Sequence, residues 1–148
     1  MTRAAPHQRA DYRHFQLITT RWGDNDAYGH VNNILYYSWF DTVVNQLLID
    51  ARVLDIERST TIGLVVETHC NYSSSVAFPD RVTAGLRVAS LGRSSIRYEI
   101  GIFRNDDELA AAQGHLVHVC VDRESRRPVD LPPPMRALLL PLCIPAQP

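Results

Sequence analysis

The chain has 148 residues but no lysine, only three cysteines and no long apolar run. The absence of lysine excludes Schiff-base and lysine-nucleophile chemistry. The cysteines (Cys70, Cys120 and Cys143) are too few and too scattered for a disulfide framework. The most apolar stretch, 138–144, contains a proline and is far too short to cross a bilayer. Since residues 1–12 also lack the apolar core of a signal peptide, we expect a cytoplasmic protein with no membrane partner.

Acidic and basic residues are nearly balanced, with a formal net charge of -1 and a sequence pI of about 6.6. This balance provides no basic surface for nucleic acid, so we expect no nucleic-acid partner. Hydrophobic residues make up 45% of the chain and charged residues 21%, which is typical of a globular protein, and the length suits one domain. We expect a flexible N-terminal leader over 1–14 and a single domain over 15–148.

Hydrophobic periodicity predicts one long helix. Between Ile34 and Asp50 the polar residues form a narrow stripe at spacings of three and four, so most of the helix surface is apolar. Such a helix should be enclosed by the rest of the fold. Asn32 or Asn33 suits its cap, because a short side-chain carbonyl accepts the unpaired amides of the first turn.

Strands are predicted on both sides of this helix. A first strand is expected near 15–22, and period-two alternation follows the helix in four runs, at 62–72, 82–88, 96–103 and 109–121. Short turns at Pro79-Asp80, 91–93 and 105–107 indicate an antiparallel meander. The pattern predicts an α+β fold in which a five-stranded antiparallel sheet wraps a central helix.

The loop before the helix carries the densest set of reactive side chains. Asp24, Asp26 and His30 lie within a few residues of the helix start. The first amides of a helix lack internal acceptors and can polarise a carbonyl oxygen, while a nearby carboxylate can act as general base or nucleophile. The alternative is that these residues only cap the helix and shape the loop.

The sequence Asp24-Asn25-Asp26-Ala27-Tyr28-Gly29-His30-Val31-Asn32-Asn33 closely resembles the active-site signature of hotdog-fold thioesterases of the 4-hydroxybenzoyl-CoA thioesterase and acyl-CoA thioester hydrolase type. Weaker similarity extends over 15–134. The resemblance implies a hotdog fold, in which a long helix is wrapped by a sheet, and hydrolysis of an acyl-CoA or acyl-ACP thioester without a cofactor. It also implies a homodimer or homotetramer, with sites shared between subunits.

The same resemblance assigns roles to individual residues. Asp26 matches the catalytic carboxylate, and Asn33 matches the position whose backbone amide polarises the thioester carbonyl. His30 is a further catalytic candidate, by similarity to the acyl-ACP branch, although that branch carries Asn where this chain has Tyr28. Tyr28 and Asn32 are candidate substrate-binding residues of the same loop.

Residues outside the loop are candidates for binding phosphate or a metal ion. Arg93 and Arg97 are candidates for holding the phosphates of CoA, with solvated surface charge as the alternative. We expect no metal site, because His115 and His118 point to opposite faces of a strand. Two other functions stay open on the same fold: a non-catalytic acyl-CoA-binding module, and a hydratase, whose usual signatures are absent.

Overall fold

The apolar helix lies at the centre of the computed structural model, which describes residues 3–145. This helix, α1, spans Ile34–Asp50 as predicted, and it packs on one face of a sheet. Its polar stripe faces outwards, whereas its aromatic and aliphatic side chains are buried. The buried residues of α1 are Tyr36, Trp39, Phe40, Val43, Val44, Leu47 and Leu48.

A single five-stranded antiparallel sheet covers α1, which confirms the predicted α+β hotdog architecture. The first strand is shorter than expected, because Thr19 has a positive φ of 65° and interrupts the extended backbone. A second, short helix follows the sheet. The elements are β1 (His14–Leu17), β2 (Thr61–Tyr72), β3 (Val82–Leu91), β4 (Ser95–Arg104), β5 (Ala112–Asp122) and α2 (Pro133–Leu139).

The strand order, β1-β3-β4-β5-β2, corrects the predicted meander. β3, β4 and β5 are successive neighbours, but β2 pairs with β5 at one edge and not with β3. The residues between β2 and β3, 73–81, therefore cross the end of the sheet instead of forming a hairpin at Pro79-Asp80. Three strand spacings amount to about 14 Å, which nine residues span easily. We call residues 73–81 the crossing segment.

The N-terminal residues pack against the sheet. Residues 5–13 run along its outer face, where Tyr12 is only 4% exposed. Gly85 and Gly101 face each other on β3 and β4, and their missing side chains leave room for the Tyr12 ring. The Arg9 amide also donates to the Glu108 carbonyl at 3.0 Å. Residues 1 and 2 of the predicted leader, and residues 146–148 of the predicted domain, lie outside the described residues.

The edge strand β2 exposes apolar side chains over much of its twelve residues. Leu64, Val65 and Val66 are 36%, 46% and 61% exposed, and the register shifts between Val65 and Glu67. That shift breaks the strict alternation predicted for 62–72. A long edge with apolar side chains and unpaired backbone groups is a surface on which another strand can pair.

We predict that Gly101→Ala destabilises the fold through Tyr12. A methyl group at this position would lie 2.6 Å from Tyr12 Cε2, so the ring must leave its groove. The free energy of unfolding in urea should fall by about 1–3 kcal/mol, the usual cost of overpacking. Gly23→Ala is the matched control, since nothing lies within 4 Å of its added carbon. Equal stability of the two variants would contradict this account of the N-terminal segment.

Candidate active site

The loop between β1 and α1 is closed by backbone hydrogen bonds. The Asn32 amide donates to the Asp24 carbonyl at 3.0 Å, and the Asp26 amide donates to the His30 carbonyl at 2.8 Å. Gly29 makes the reversal between them with a φ of 84°, in the left-handed region that glycine adopts without strain. The loop therefore presents Asp26 and His30 beside the first turn of α1.

The two aspartates of the loop have different surroundings. Asp24 is 3% exposed, and its carboxylate accepts hydrogen bonds from the Arg21 backbone amide at 2.8 Å and from Arg21 Nε at 3.1 Å. One carboxylate oxygen of Asp26, Oδ1, accepts a hydrogen bond from the Tyr28 backbone amide at 2.8 Å. Its Oδ2 lies 3.5 Å from His30 Nδ1. Asp24 thus secures the loop, while Asp26 is the carboxylate that borders a cavity.

The start of α1 leaves one backbone amide without a partner. The Asn32 side-chain oxygen accepts a hydrogen bond from the Ile34 amide at 3.1 Å. Of the two residues predicted to cap the helix, Asn32 is therefore the one whose side chain does so. The Asn33 side chain makes no capping bond, and among residues 3–145 its backbone N–H has no protein acceptor. The Asn33 amide is therefore available to an oxygen atom from outside the chain.

Asp26, His30 and Asn33 line one cavity of about 380 Å³. Its remaining walls come from Arg3, Val31 in the loop, Tyr36 on α1, Tyr72 at the end of β2, and the serines at the beginning of the crossing segment. Sequence reasoning did not select Ser73–Ser75, because only the strand order shows that this segment crosses in front of the helix. A carboxylate residue and a residue with an unpaired backbone amide therefore line the same cavity.

Two further candidates of the loop lie elsewhere. Tyr28 is 86% exposed and stacks on His30 with 6.3 Å between ring centroids, outside the cavity. Asn32 is occupied by its capping bond. Within one chain, neither residue contacts the cavity that Asp26 and Asn33 share.

The two candidate arginines also lie away from the cavity. Tyr72 shares a row of the sheet with Ile102, whereas Arg97 is five residues away along β4, about 16 Å at 3.3 Å per residue. Arg93 lies still farther, in the β3–β4 turn, and pairs with Asp130 at 3.1 Å. Among the arginines of the described residues, Arg3 lines the cavity, and Arg104 supports its wall by donating from Nη1 to the Ser75 carbonyl at 2.7 Å.

Histidines and cysteines outside the loop do not assemble into a metal site in the described residues. No group of three or more His, Cys, Asp or Glu side chains within 3–145 has the geometry to hold an ion. His118 is buried, and burial lowers the pKa of its ring to about 4, so it is neutral at ordinary pH. Neither α1 nor α2 has the length and apolar content needed to cross a membrane, as far as residues 3–145 are concerned.

Comparison with known families identifies the superfamily to which the chain belongs. The model of the thioesterase-like superfamily matches residues 20–139, a range that contains the loop, α1 and all of β2–β5. The chain belongs to the thioesterase-like superfamily. It is a thioester hydrolase, and the cavity at the start of α1 is the candidate active site of this thioesterase.

Solved structures are similar to this thioesterase over most of its length. The PA5185 protein of Pseudomonas aeruginosa strain PAO1 is 51% identical, with a TM-score of 0.93 and coverage of 96% of this chain and 99% of that one. The PA2801 protein of Pseudomonas aeruginosa is 30% identical, with a TM-score of 0.79 and coverage of 84% and 95%. Slr0204 from Synechocystis shares the fold at 15% identity, with a TM-score of 0.78 and coverage of 86% and 96%.

Proposed function

We propose that this thioesterase hydrolyses acyl-CoA thioesters, with Asp26 as the catalytic carboxylate and the Asn33 amide as the oxyanion donor. One observation carries the proposal: Asp26 and Asn33 line the same cavity, and the Asn33 N–H has no acceptor within residues 3–145. A thioester carbonyl oxygen at that amide would be polarised by the hydrogen bond and by the N-terminal end of the helix dipole. Its carbonyl carbon would then be within reach of the Asp26 side chain.

Two chemical routes use this arrangement. In the first, Asp26 removes a proton from water, the resulting hydroxide attacks the carbonyl carbon, and the C–S bond breaks. In the second, the carboxylate itself attacks the carbonyl carbon, the C–S bond breaks and the thiolate leaves and takes up a proton, and water then hydrolyses the acyl-enzyme anhydride to the free acid and the Asp26 carboxylate. In both, the Asn33 amide stabilises the negative charge on the carbonyl oxygen. We further propose that His30, 3.5 Å from Asp26 Oδ2, orients the carboxylate.

The acyl-CoA substrate class is supported by the function of a protein of the same fold. Slr0204 is a 1,4-dihydroxy-2-naphthoyl-CoA thioesterase, so this architecture accepts a CoA thioester. The corresponding experiment measures thiol release from a panel of acetyl-, octanoyl-, palmitoyl- and benzoyl-CoA, with an acyl-ACP included. Turnover of one or more of the CoA thioesters supports the proposal. Binding without turnover would favour the acyl-CoA-binding module instead.

We propose a cytoplasmic location on the basis of the cysteines. Cys70, Cys120 and Cys143 are all free thiols. Burial raises the pKa of Cys70 to about 11, so this thiol is protonated and unreactive at ordinary pH. Free thiols are usual in reducing compartments, where acyl-CoA substrates are also handled.

Asp26→Asn should retain the fold and lose turnover, because an amide is neither a base nor a carboxylate nucleophile. We expect kcat to fall by about 10²-fold or more, the scale of a removed acid–base group. Asp24→Asn is the matched control: it weakens the buried pairing with Arg21, so it should lower the free energy of unfolding more than Asp26→Asn does. The measurements are kcat on the best substrate and urea unfolding. An active Asp26→Asn beside a folded but inactive Asp24→Asn would reverse the assignment.

We also propose that two chains pair through β2, which would place the sites at a subunit boundary. The support is the apolar, unpaired edge that Leu64, Val65 and Val66 form. Light scattering should give at least a dimer for the native chain and a monomer for Val65→Lys. Leu140→Lys, at an aliphatic residue 62% exposed outside the sheet, is the control. A fully active native monomer at assay concentration would contradict this assembly.

A further inference from the structure

Tyr72 connects the sheet to the start of α1. It is the last residue of β2, immediately before the crossing segment, and its hydroxyl donates a hydrogen bond to the Asn33 carbonyl at 3.1 Å. The two residues are 39 positions apart in the chain, so this bond joins an edge strand to the loop–helix junction. Both residues line the cavity that holds Asp26.

Both the backbone and the ring of Tyr72 are held in place. The backbone pairs with Ala112 on β5. Its ring packs edge-on against Tyr36, with centroids 5.0 Å apart and an interplanar angle of 90°. Tyr36 is 3% exposed and packs in turn on Trp39 at 5.0 Å. The Tyr72 hydroxyl therefore projects from a rigid aromatic cluster, which gives it a defined direction.

Asn33 has few other restraints. Its side chain makes no capping bond. Within residues 3–145, its carbonyl accepts a hydrogen bond of 3.3 Å from the Tyr36 amide besides the one from the Tyr72 hydroxyl. The Asn33 N–H lies in the same peptide plane as the Asn32 carbonyl, which accepts the Leu35 amide at 3.0 Å. Only the φ and ψ of Asn33 separate this plane from the Asn33 carbonyl, so holding both carbonyls restricts the direction of the N–H.

We propose that Tyr72 is a positioning residue, whose hydroxyl holds the Asn33 carbonyl and so aims the Asn33 amide at the thioester oxygen. This inference rests on the proposed function, because it states that a hydrogen bond from Tyr72, at the end of β2, orients the amide proposed as the oxyanion donor. Oxyanion donors act by preorganisation, so a small displacement of the amide lowers the rate without weakening ground-state binding equally.

The chemistry of the phenol fits this role. Burial, together with the neighbouring Cys70 thiol, raises the pKa of Tyr72 above its ordinary value. The hydroxyl therefore stays protonated at ordinary pH and can donate its hydrogen bond there. Removing it should change the height of the kcat–pH profile but not its shape, whereas loss of a titrating acid would change the shape.

The test is Tyr72→Phe, which keeps the ring and deletes only the hydroxyl. We expect kcat on the best acyl-CoA of the panel to fall about 10-fold, as for the loss of one hydrogen bond that orients a reacting group. KM should stay within about two-fold and the kcat–pH profile should keep its shape. Tyr98→Phe is the matched control, because the Tyr98 hydroxyl is buried with no hydrogen-bond partner in the described residues.

A spectroscopic readout separates positioning from a general structural role. In an Asp26→Asn background, the carbonyl stretch of the same acyl-CoA, labelled with ¹³C, should move to lower frequency on binding. Adding Tyr72→Phe should reduce that shift. If Asp26→Asn abolishes turnover but Tyr72→Phe matches Tyr98→Phe in kcat and leaves the shift unchanged, the positioning role is overturned and the proposed function stands. If the native chain turns over no acyl-CoA, the proposed function itself fails.

Discussion

The enclosure of α1 by the sheet determines where chemistry can take place in this thioesterase. Seven side chains of the helix are buried, so the helix contributes to the apolar core along most of its length. The amides of its first turn are the exception, because a helix start has no internal acceptors for them. One is capped by Asn32, and the amide of Asn33, a residue that lines the cavity, has no acceptor within residues 3–145. The apolar core and the polar site are therefore consequences of the same helix.

The site depends on two backbone arrangements that meet at this helix start. The loop is closed by the bond from Asn32 to the Asp24 carbonyl, and the crossing segment is attached by the bond from the Val31 amide to the Val76 carbonyl at 2.7 Å. The Phe78 amide also donates to Asn25 Oδ1 at 3.0 Å, which joins the same two segments. These contacts hold the loop against the crossing segment, and both segments line the cavity.

Local sequence patterns predicted a large part of this structure. The bounds of α1, the α+β class and the five-stranded sheet follow from hydrophobic periodicity, and the loop signature identified the superfamily. Periodicity could not predict strand order, because β2 would have the same pattern beside β3 as beside β5. The position of Ser73–Ser75 at the cavity and the distance of Arg97 from it both depend on that order. Sequence periodicity therefore could not predict either of them.

The N-terminal segment shows a second limit of local patterns. Residues 3–13 have no helical or strand periodicity, which predicted a flexible leader, yet Tyr12 lies in a groove that Gly85 and Gly101 leave open. The groove is formed by two glycines 16 positions apart that β3 and β4 bring opposite each other. Only the pairing of these strands shows that a tyrosine from another part of the chain fits there.

In the proposed mechanism a backbone amide, and not a side chain, polarises the thioester carbonyl. The most direct measurement compares kcat for Asn33→Ala and Asn33→Pro. The Asn33 φ of -57° suits proline, and its N–H is not used within the described fold, so both variants should show native helix content by circular dichroism. Asn33→Ala should retain most of kcat, whereas Asn33→Pro should lose about 10²–10³-fold, as for a deleted oxyanion donor. A folded Asn33→Pro as active as Asn33→Ala would contradict the account.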